Sequence, residues 1–289
     1  EMRRIMINFV APINDIDMTQ PKASQKITVV TVCYNAVKEI EKTIQSVISQ
    51  TYDNVEYIIV DGGSTDGTLD IIRKYSSRIT RWVSEPDKGI FDAMNKSARM
   101  ATGEYINFMN AGDLFFDEKV LSDIFAGRSY DEDVLYGSTI LHYKGGYKPH
   151  RSATIDRMPV CMPFCHQSSF TKVSVLREHP FDTTFLSIAD CVFFRQLYNS
   201  GGTFRDVKKY IAIYDMYGYV SNTSLKCYFE SCLVHRQNPT LGGYLRRLVD
   251  INFRPLRYCS LRFMYAERKK PGKYSRTLEA FRQTYDDKA

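Results

Sequence analysis

"VEYIIVDGGSTDGT" occupies residues 55–68. Its first six residues are a short, mostly apolar run bounded by turn residues, the pattern of a strand buried on both faces. Asp61 closes the run. Gly62 and Gly63 permit a tight turn with free backbone N–H groups, and Asp66 is placed to cap a helix over 68–77. A strand, a tight turn and a helix make half of a βαβ unit, so the neighbouring segments should repeat the pattern.

They do. "KITVVTV" (26–32) is a β-branched strand, and "KEIEKTIQSVISQ" (38–50) sets Ile40, Ile44, Val47 and Ile48 at helical spacing. Strand 80–85, helix 89–101 and strand 104–109 follow with short connections. Such alternation predicts a parallel α/β sheet covered by helices. Ligands in these sheets lie beyond the carboxyl ends of the strands. That rule selects Cys33–Asn35, Asp61–Gly67, Glu85–Gly89 and Asn110–Asp113. Neither GxGxxG nor GxxxxGK[ST] occurs at the turns, which disfavours a dinucleotide fold and a P-loop. The second half reads as an exposed strand (133–143), a strand and short helix (165–179), a helix (188–201), and a strand running into a polar loop (210–224).

Several groups at these turns suit a phosphorylated ligand. Asp61 can accept from the imide of uracil or the N1/N2 edge of guanine. Asp87 and Lys88 precede a helix on which Asp92 and Asn95 share a face; Lys88 also reads as a plain solvated charge. Asp113 reads either as a metal ligand or as a helix cap. Cys161, Cys165 and His166 lack a second ligand pair at zinc spacing, so buried thiols are the simpler reading.

Taken together, "TVCYN", "VDGGSTDGT", "SEPDKGIFDAMNKS" and "INFMNAGD" resemble, in order and spacing, the family 2 inverting glycosyltransferases of GT-A fold. The similarity is greatest to the bacterial branch that builds capsule, colanic acid and O-antigen, and it covers roughly residues 26–225. It implies an α/β, Rossmann-like mixed sheet flanked by helices. It also implies a nucleotide diphospho-sugar donor (UDP- or GDP-), an undecaprenyl-diphosphate-linked acceptor, and Mg2+ or Mn2+. In the family the turn after the fourth strand carries a DxDD-like motif whose final Asp binds the metal. Here Asp113 matches that ligand, Gly112 replaces the acid before it, and Asn110 replaces the first. One carboxylate suffices in principle, because Mg2+ usually takes one or two together with phosphate oxygens and waters.

The resemblance further implies that Asp61 meets the base, with Val32 and Tyr34 walling the pocket. Asn35, Asp87, Lys88, Asp92 and Asn95 line the donor site. Ser221 lies in a loop resembling the family's GGxS, with Tyr219 interrupting it. His166 and Gln167 contact sugar. In "SIADCVFFRQL" the catalytic base matches Asp190, ahead of Asp182 and Asp206, and a helix N-terminal acid is the bland alternative. A catalytically degenerate nucleotide-sugar-binding module and a sugar nucleotidylyltransferase are the competing functions; the latter lacks its Gly-rich N-terminal loop with a catalytic Arg or Lys.

Net charge is +6, unevenly placed. From Arg236 onward thirteen Lys and Arg face five Asp and Glu, against 26 facing 28 before it. Residues 236–289 therefore read as a basic amphipathic helical tail, broken at Pro255, suited to an anionic inner-membrane surface or to packing on the domain. No nucleic-acid-binding motif supports an RNA partner, and a homodimer is left open. Residues 1–25 read as a poorly ordered lead-in. Residues 26–235 read as the catalytic domain, with a donor half (26–115) and an acceptor half (116–235). Seven scattered cysteines, no signal-peptide pattern and no apolar run of about 18 residues lead to the expectation of a cytoplasmic, peripherally bound protein.

Overall fold

Six consecutive β-branched residues make Ile27–Cys33 strand β1, buried along its whole length. A computed structural model describes residues 24–143, 146–216 and 230. In it β1 pairs in parallel with β2 (Val55–Asp61) on one side and β4 (Tyr105–Phe108) on the other. Strand β3 (Arg81–Ser84) extends the same parallel set beyond β2. The connections are helices α1 (Ile40–Ile48), α2 (Thr68–Lys74) and α3 (Ile90–Met100). Helix α1 buries Ile40, Thr43, Ile44 and Val47, the i, i+3, i+4, i+7 stripe that makes a surface helix stick to a sheet.

β1 alternates between two cores. Ile27 and Val29 pack with α1 and the segment around Phe125. Val30 and Val32 pack on the opposite face with Phe91, Met94, Phe193 and Phe194. Both faces being covered explains why the strand reads as a β-branched run with no exposed polar face.

Beyond β4 the sheet becomes mixed. Strand β8 (Ser169–Lys172) runs antiparallel to β4, and β6 (Val134–Tyr143) antiparallel to β8. Strand β9 (Phe204–Asp215) lies parallel to β6, and β5 (Leu114–Phe115) is antiparallel to β9. The order is β3-β2-β1-β4-β8-β6-β9-β5, with β7 (Gly146–His150) hairpinned on β6. Helices α4 (Val120–Phe125), α5 (Val173–Glu178) and α6 (Ala189–Asn199) are the remaining α-helices among the described residues.

Every element read in the first half of the sequence is present to within a few residues. The short β5, α4 and β7 were not anticipated. β9 begins at Phe204, six residues before the expected start, because its first half carries Arg205, Asp206, Lys208 and Lys209 and hides its strand character. The lead-in, the loop holding Ser221 and the basic tail lie outside the described residues.

One backbone crossing allows a direct test of packing. A Cβ on Gly103 would sit 2.7 Å from the Lys26 carbonyl and from the Thr28 amide nitrogen and hydroxyl. Two of the three atoms are backbone of the sheet, which cannot move aside cheaply. Gly103→Ala should therefore destabilise the protein by about 1–3 kcal/mol, read as a lower midpoint in urea unfolding at unchanged slope.

Candidate functional site

The parallel register aligns Cys33 with Asp61 and Asp61 with Ser84, so the first three turns open at one edge. Two of them are laced together. The Ala36 N–H donates to Thr68 Oγ1 (2.9 Å) and the Val37 N–H to Asp66 Oδ2 (3.0 Å). Asn35 bends back at φ +47°, a left-handed conformation that Asn tolerates. Its Oδ1 accepts from the Thr65 N–H at 2.9 Å.

Asp61 organises this lacing. Its Oδ2 accepts from Gly63 N–H (3.0 Å), Ser64 N–H (2.9 Å) and Ser84 Oγ (2.7 Å), and its Oδ1 accepts from the Ser64 hydroxyl and Cys33 Sγ. The side chain is fully buried. Burial pushes its pKa up, but the hydrogen bonds from Ser64, Ser84 and Cys33 outweigh this and hold it below the usual carboxylate value. A carboxylate with this many donors is the anchor of the turn; contact with a nucleobase would require exchanging one of them. Because the folded pKa is depressed, its stabilising effect is complete above the unfolded value of about 3.9. It is lost as pH falls through the lower folded value. The stability gap between wild type and Asp61→Asn should thus be constant from pH 7 to 5 and shrink below pH 4 in thermal melts.

The third turn leans over the second. Asp87 Oδ2 and the Tyr34 ring stand 2.5 and 3.4 Å from where a Cβ on Gly62 would lie, so Tyr34, Gly62 and Asp87 share one spot. Tyr34 is 64% exposed, an uncovered ring at the crevice edge. Asp87 Oδ1 accepts from the Gly89 N–H, and Asp92 Oδ2 from the Lys88 N–H, closing the loop before α3. Lys88 and Asp92 border a small cleft with Thr183, Phe185 and Leu186.

Two expected donor-site residues sit elsewhere. Asn95 is buried, with its amide paired to both the N–H and the C=O of Phe181 (2.9 and 2.8 Å). Val32 points into the core beside α3, and only its carbonyl reaches the site, accepting from the Ala111 N–H. Helical spacing and position in a motif cannot show which way such residues turn.

At the fourth turn Gly112 takes φ +106°, a conformation that disfavours any side chain. A side chain there would be strained on this backbone. Asp113 beside it is 5% exposed. Its Oδ2 accepts from Gln167 Nε2 (3.2 Å) and its Oδ1 from the Asp215 N–H (3.1 Å). Burial pushes its pKa up to about 7, against the pull of nearby His166. Each oxygen accepts one hydrogen bond and keeps a lone pair for a further partner. The donor set therefore fits a hard divalent ion with oxygen ligands.

Gln167 thus donates to the carboxylate of Asp113. His166 joins two functional groups. Its Nδ1 lies 3.0 Å from Asp190 Oδ2, and its Nε2 lies 3.3 Å from the Asn110 amide. Burial would lower its pKa, but hydrogen bonding to Asp190 and the charges of Asp190 and Asp113 raise it instead. Asp190 occupies the first turn of α6, and its Oδ1 is buried without a hydrogen-bond partner. Of the alternative bases, Asp182 caps its own turn through Thr184 and Asp206 bonds Ser152 and Lys208; neither contact reaches this cluster.

Sequence reasoning missed Asp215. It ends the apolar second half of β9 as Asp61 ends β2, a signal present but unused.

The family model described as Glycosyl transferase family 2 matches residues 28–202. A PGL/p-HBAD biosynthesis glycosyltransferase of Mycobacterium bovis (strain BCG / Pasteur 1173P2) is 26% identical over 208 residues, covering 70% of this chain and 81% of that protein. The Escherichia coli UDP-Glc:alpha-D-GlcNAc-diphosphoundecaprenol beta-1,3-glucosyltransferase WfaP is 37% identical over 99 residues, covering 34% of this chain and 39% of that protein. Among solved structures, S. aureus TarS 1-349 in complex with UDP-GlcNAc superposes with TM-score 0.59 at 18% identity, covering 78% of this chain and 71% of that one. Mannosyltransferase PcManGT from Pyrobaculum calidifontis, in complex with GDP-Man and Mn2+, does so with TM-score 0.54 at 17% identity, covering 92% and 81%. These likenesses show the GT-A fold.

Proposed function

Because the chain belongs to glycosyl transferase family 2, we propose that it moves a sugar from a UDP- or GDP-sugar to a hydroxyl of a lipid-linked oligosaccharide, with inversion, during synthesis of a bacterial surface polysaccharide. One observation carries this reading. A single imidazole, that of His166, spans from Asp190 to Asn110 of the turn that ends at Asp113. A group suited to a leaving diphosphate and a group suited to deprotonating an acceptor are thus linked through one imidazole. The relatives' substrates agree: a nucleotide sugar in the two superposed structures and a diphosphoundecaprenol acceptor in the E. coli enzyme.

In this mechanism Tyr34 and the Asp61 turn receive the nucleoside, with Asn35, Asp87, Lys88 and Asp92 around the donor. Asp113 would hold Mg2+ or Mn2+, which when bound compensates the charge developing on the nucleoside diphosphate. Asp190, oriented by His166, takes the proton of the acceptor hydroxyl as that hydroxyl attacks the anomeric carbon. A single displacement needs no covalent sugar–enzyme intermediate. Proton NMR of the product formed from UDP- and GDP-sugars with an undecaprenyl-diphosphate-linked acceptor tests this. Inverted anomeric configuration supports the mechanism, and retained configuration rules it out.

No helix among the described residues is long and apolar enough to cross a membrane. The basic segment 236–289 would hold the enzyme against an anionic leaflet near its acceptor; loss of anionic-vesicle co-sedimentation on truncation at 235 is the expected result, and unchanged co-sedimentation would refute it.

A further inference from the structure

Gly112 carries no side chain, and the fold brings a carboxylate beside it from across the sheet. β5 and β9 pair antiparallel, Leu114 with Ile213 and Phe115 with Ala212. Continued past Leu114, that register sets Asp215 opposite Gly112. Residues facing each other across an antiparallel pair project side chains to the same face. The distances agree: Asp215 Cβ and Oδ2 both lie 3.8 Å from the position a Cβ on Gly112 would take. The Asp215 backbone N–H bonds Asp113 Oδ1 at 3.1 Å, so the two residues are tied together. On its other side Asp215 Oδ1 lies 3.6 Å from His142 Nδ1, its register partner on β6.

We propose that Asp215 supplies, in space, the second carboxylate of a divalent-cation site whose other carboxylate is Asp113. The absent side chain at Gly112 leaves the room that Asp215 enters. The flanking β5–β9 pairing fixes its approach, so the pair does not depend on a flexible loop. Two carboxylates from the protein, with remaining positions left to phosphate oxygens and water, is the usual complement for Mg2+ or Mn2+ in a nucleotide site. This inference rests on the reading of Asp113 as the carboxylate beside the donor diphosphate.

The test is Mn2+ binding, followed by loss of the free-ion electron paramagnetic resonance signal. It uses the full chain alone and with saturating UDP or GDP, so activity plays no part. Wild type should bind one Mn2+, and Asp113→Asn should abolish binding. Asp215→Asn should weaken it by about tenfold or more. Asp215→Ser, polar but uncharged, should give the same loss and serves if the amide variant does not fold, as judged by circular dichroism. Wild-type affinity in a folded Asp215 variant, with binding lost in Asp113→Asn, would overturn the Asp215 assignment and leave the donor reading standing. Absence of Mn2+ binding by wild type under all three conditions would overturn both.

Discussion

Asp190→Asn should lower sugar transfer by about 10²–10⁴-fold, the range for losing a general base, while donor affinity stays unchanged. Asp190 Oδ2 is held by His166 at 3.0 Å, and an amide oxygen can accept that same N–H. Geometry is therefore kept and only basicity is lost. The stability readout should move little or favourably, because the Oδ1 atom is already buried without a partner. Burying an unpaired charge-bearing oxygen costs more than burying a neutral amide. A variant that transfers at the wild-type rate would remove Asp190 from the mechanism. One that fails to bind donor would make it a structural residue of α6.

Asp113→Asn should lower transfer by about 10²–10³-fold, the loss expected when charge stabilisation at a leaving group is removed. Here donor affinity in the presence of Mn2+ should fall too, which separates this variant from Asp190→Asn. The substitution conserves shape, but both oxygens of Asp113 accept hydrogen bonds, one from Gln167 and one from the Asp215 N–H. An amide places a donor against one of these donors, so a modest destabilisation accompanies the loss. Donor affinity with Mn2+ equal to wild type would show that Asp113 only braces the turn.

The parallel half of the fold was legible because its strands are buried on both faces and its helices carry one apolar stripe. Those patterns are local, and α1 with Ile40, Ile44 and Val47 buried is an example. Strand partners are not local. Nothing in "SSFTK" announces that β8 runs antiparallel to β4, and the charged start of β9 concealed a strand that pairs with both β6 and β5.

The site divides the same way. Residues fixed by a turn, such as Asp61 and Asp113, could be placed at a strand end. Their partners came from distant segments: Gln167 lies 54 positions from Asp113, and Asp215 lies 102. Asn95 shows the converse. It lies on a motif helix, yet its amide serves the Phe181 backbone, 86 positions away. A motif names the residues near a site, whereas tertiary contacts decide which of them face it.

The central claim is that one crevice holds a nucleotide diphosphate at Asp113 and a base at Asp190. The most direct measurement is calorimetric titration of UDP and of GDP, each with Mn2+ and with EDTA, into wild type, Asp113→Asn and Asp190→Asn. The account predicts that one nucleotide binds, that binding weakens in EDTA and in Asp113→Asn, and that Asp190→Asn binds as wild type. Failure of folded wild-type protein to bind either nucleotide with Mn2+, or binding indifferent to both metal and Asp113, would contradict it.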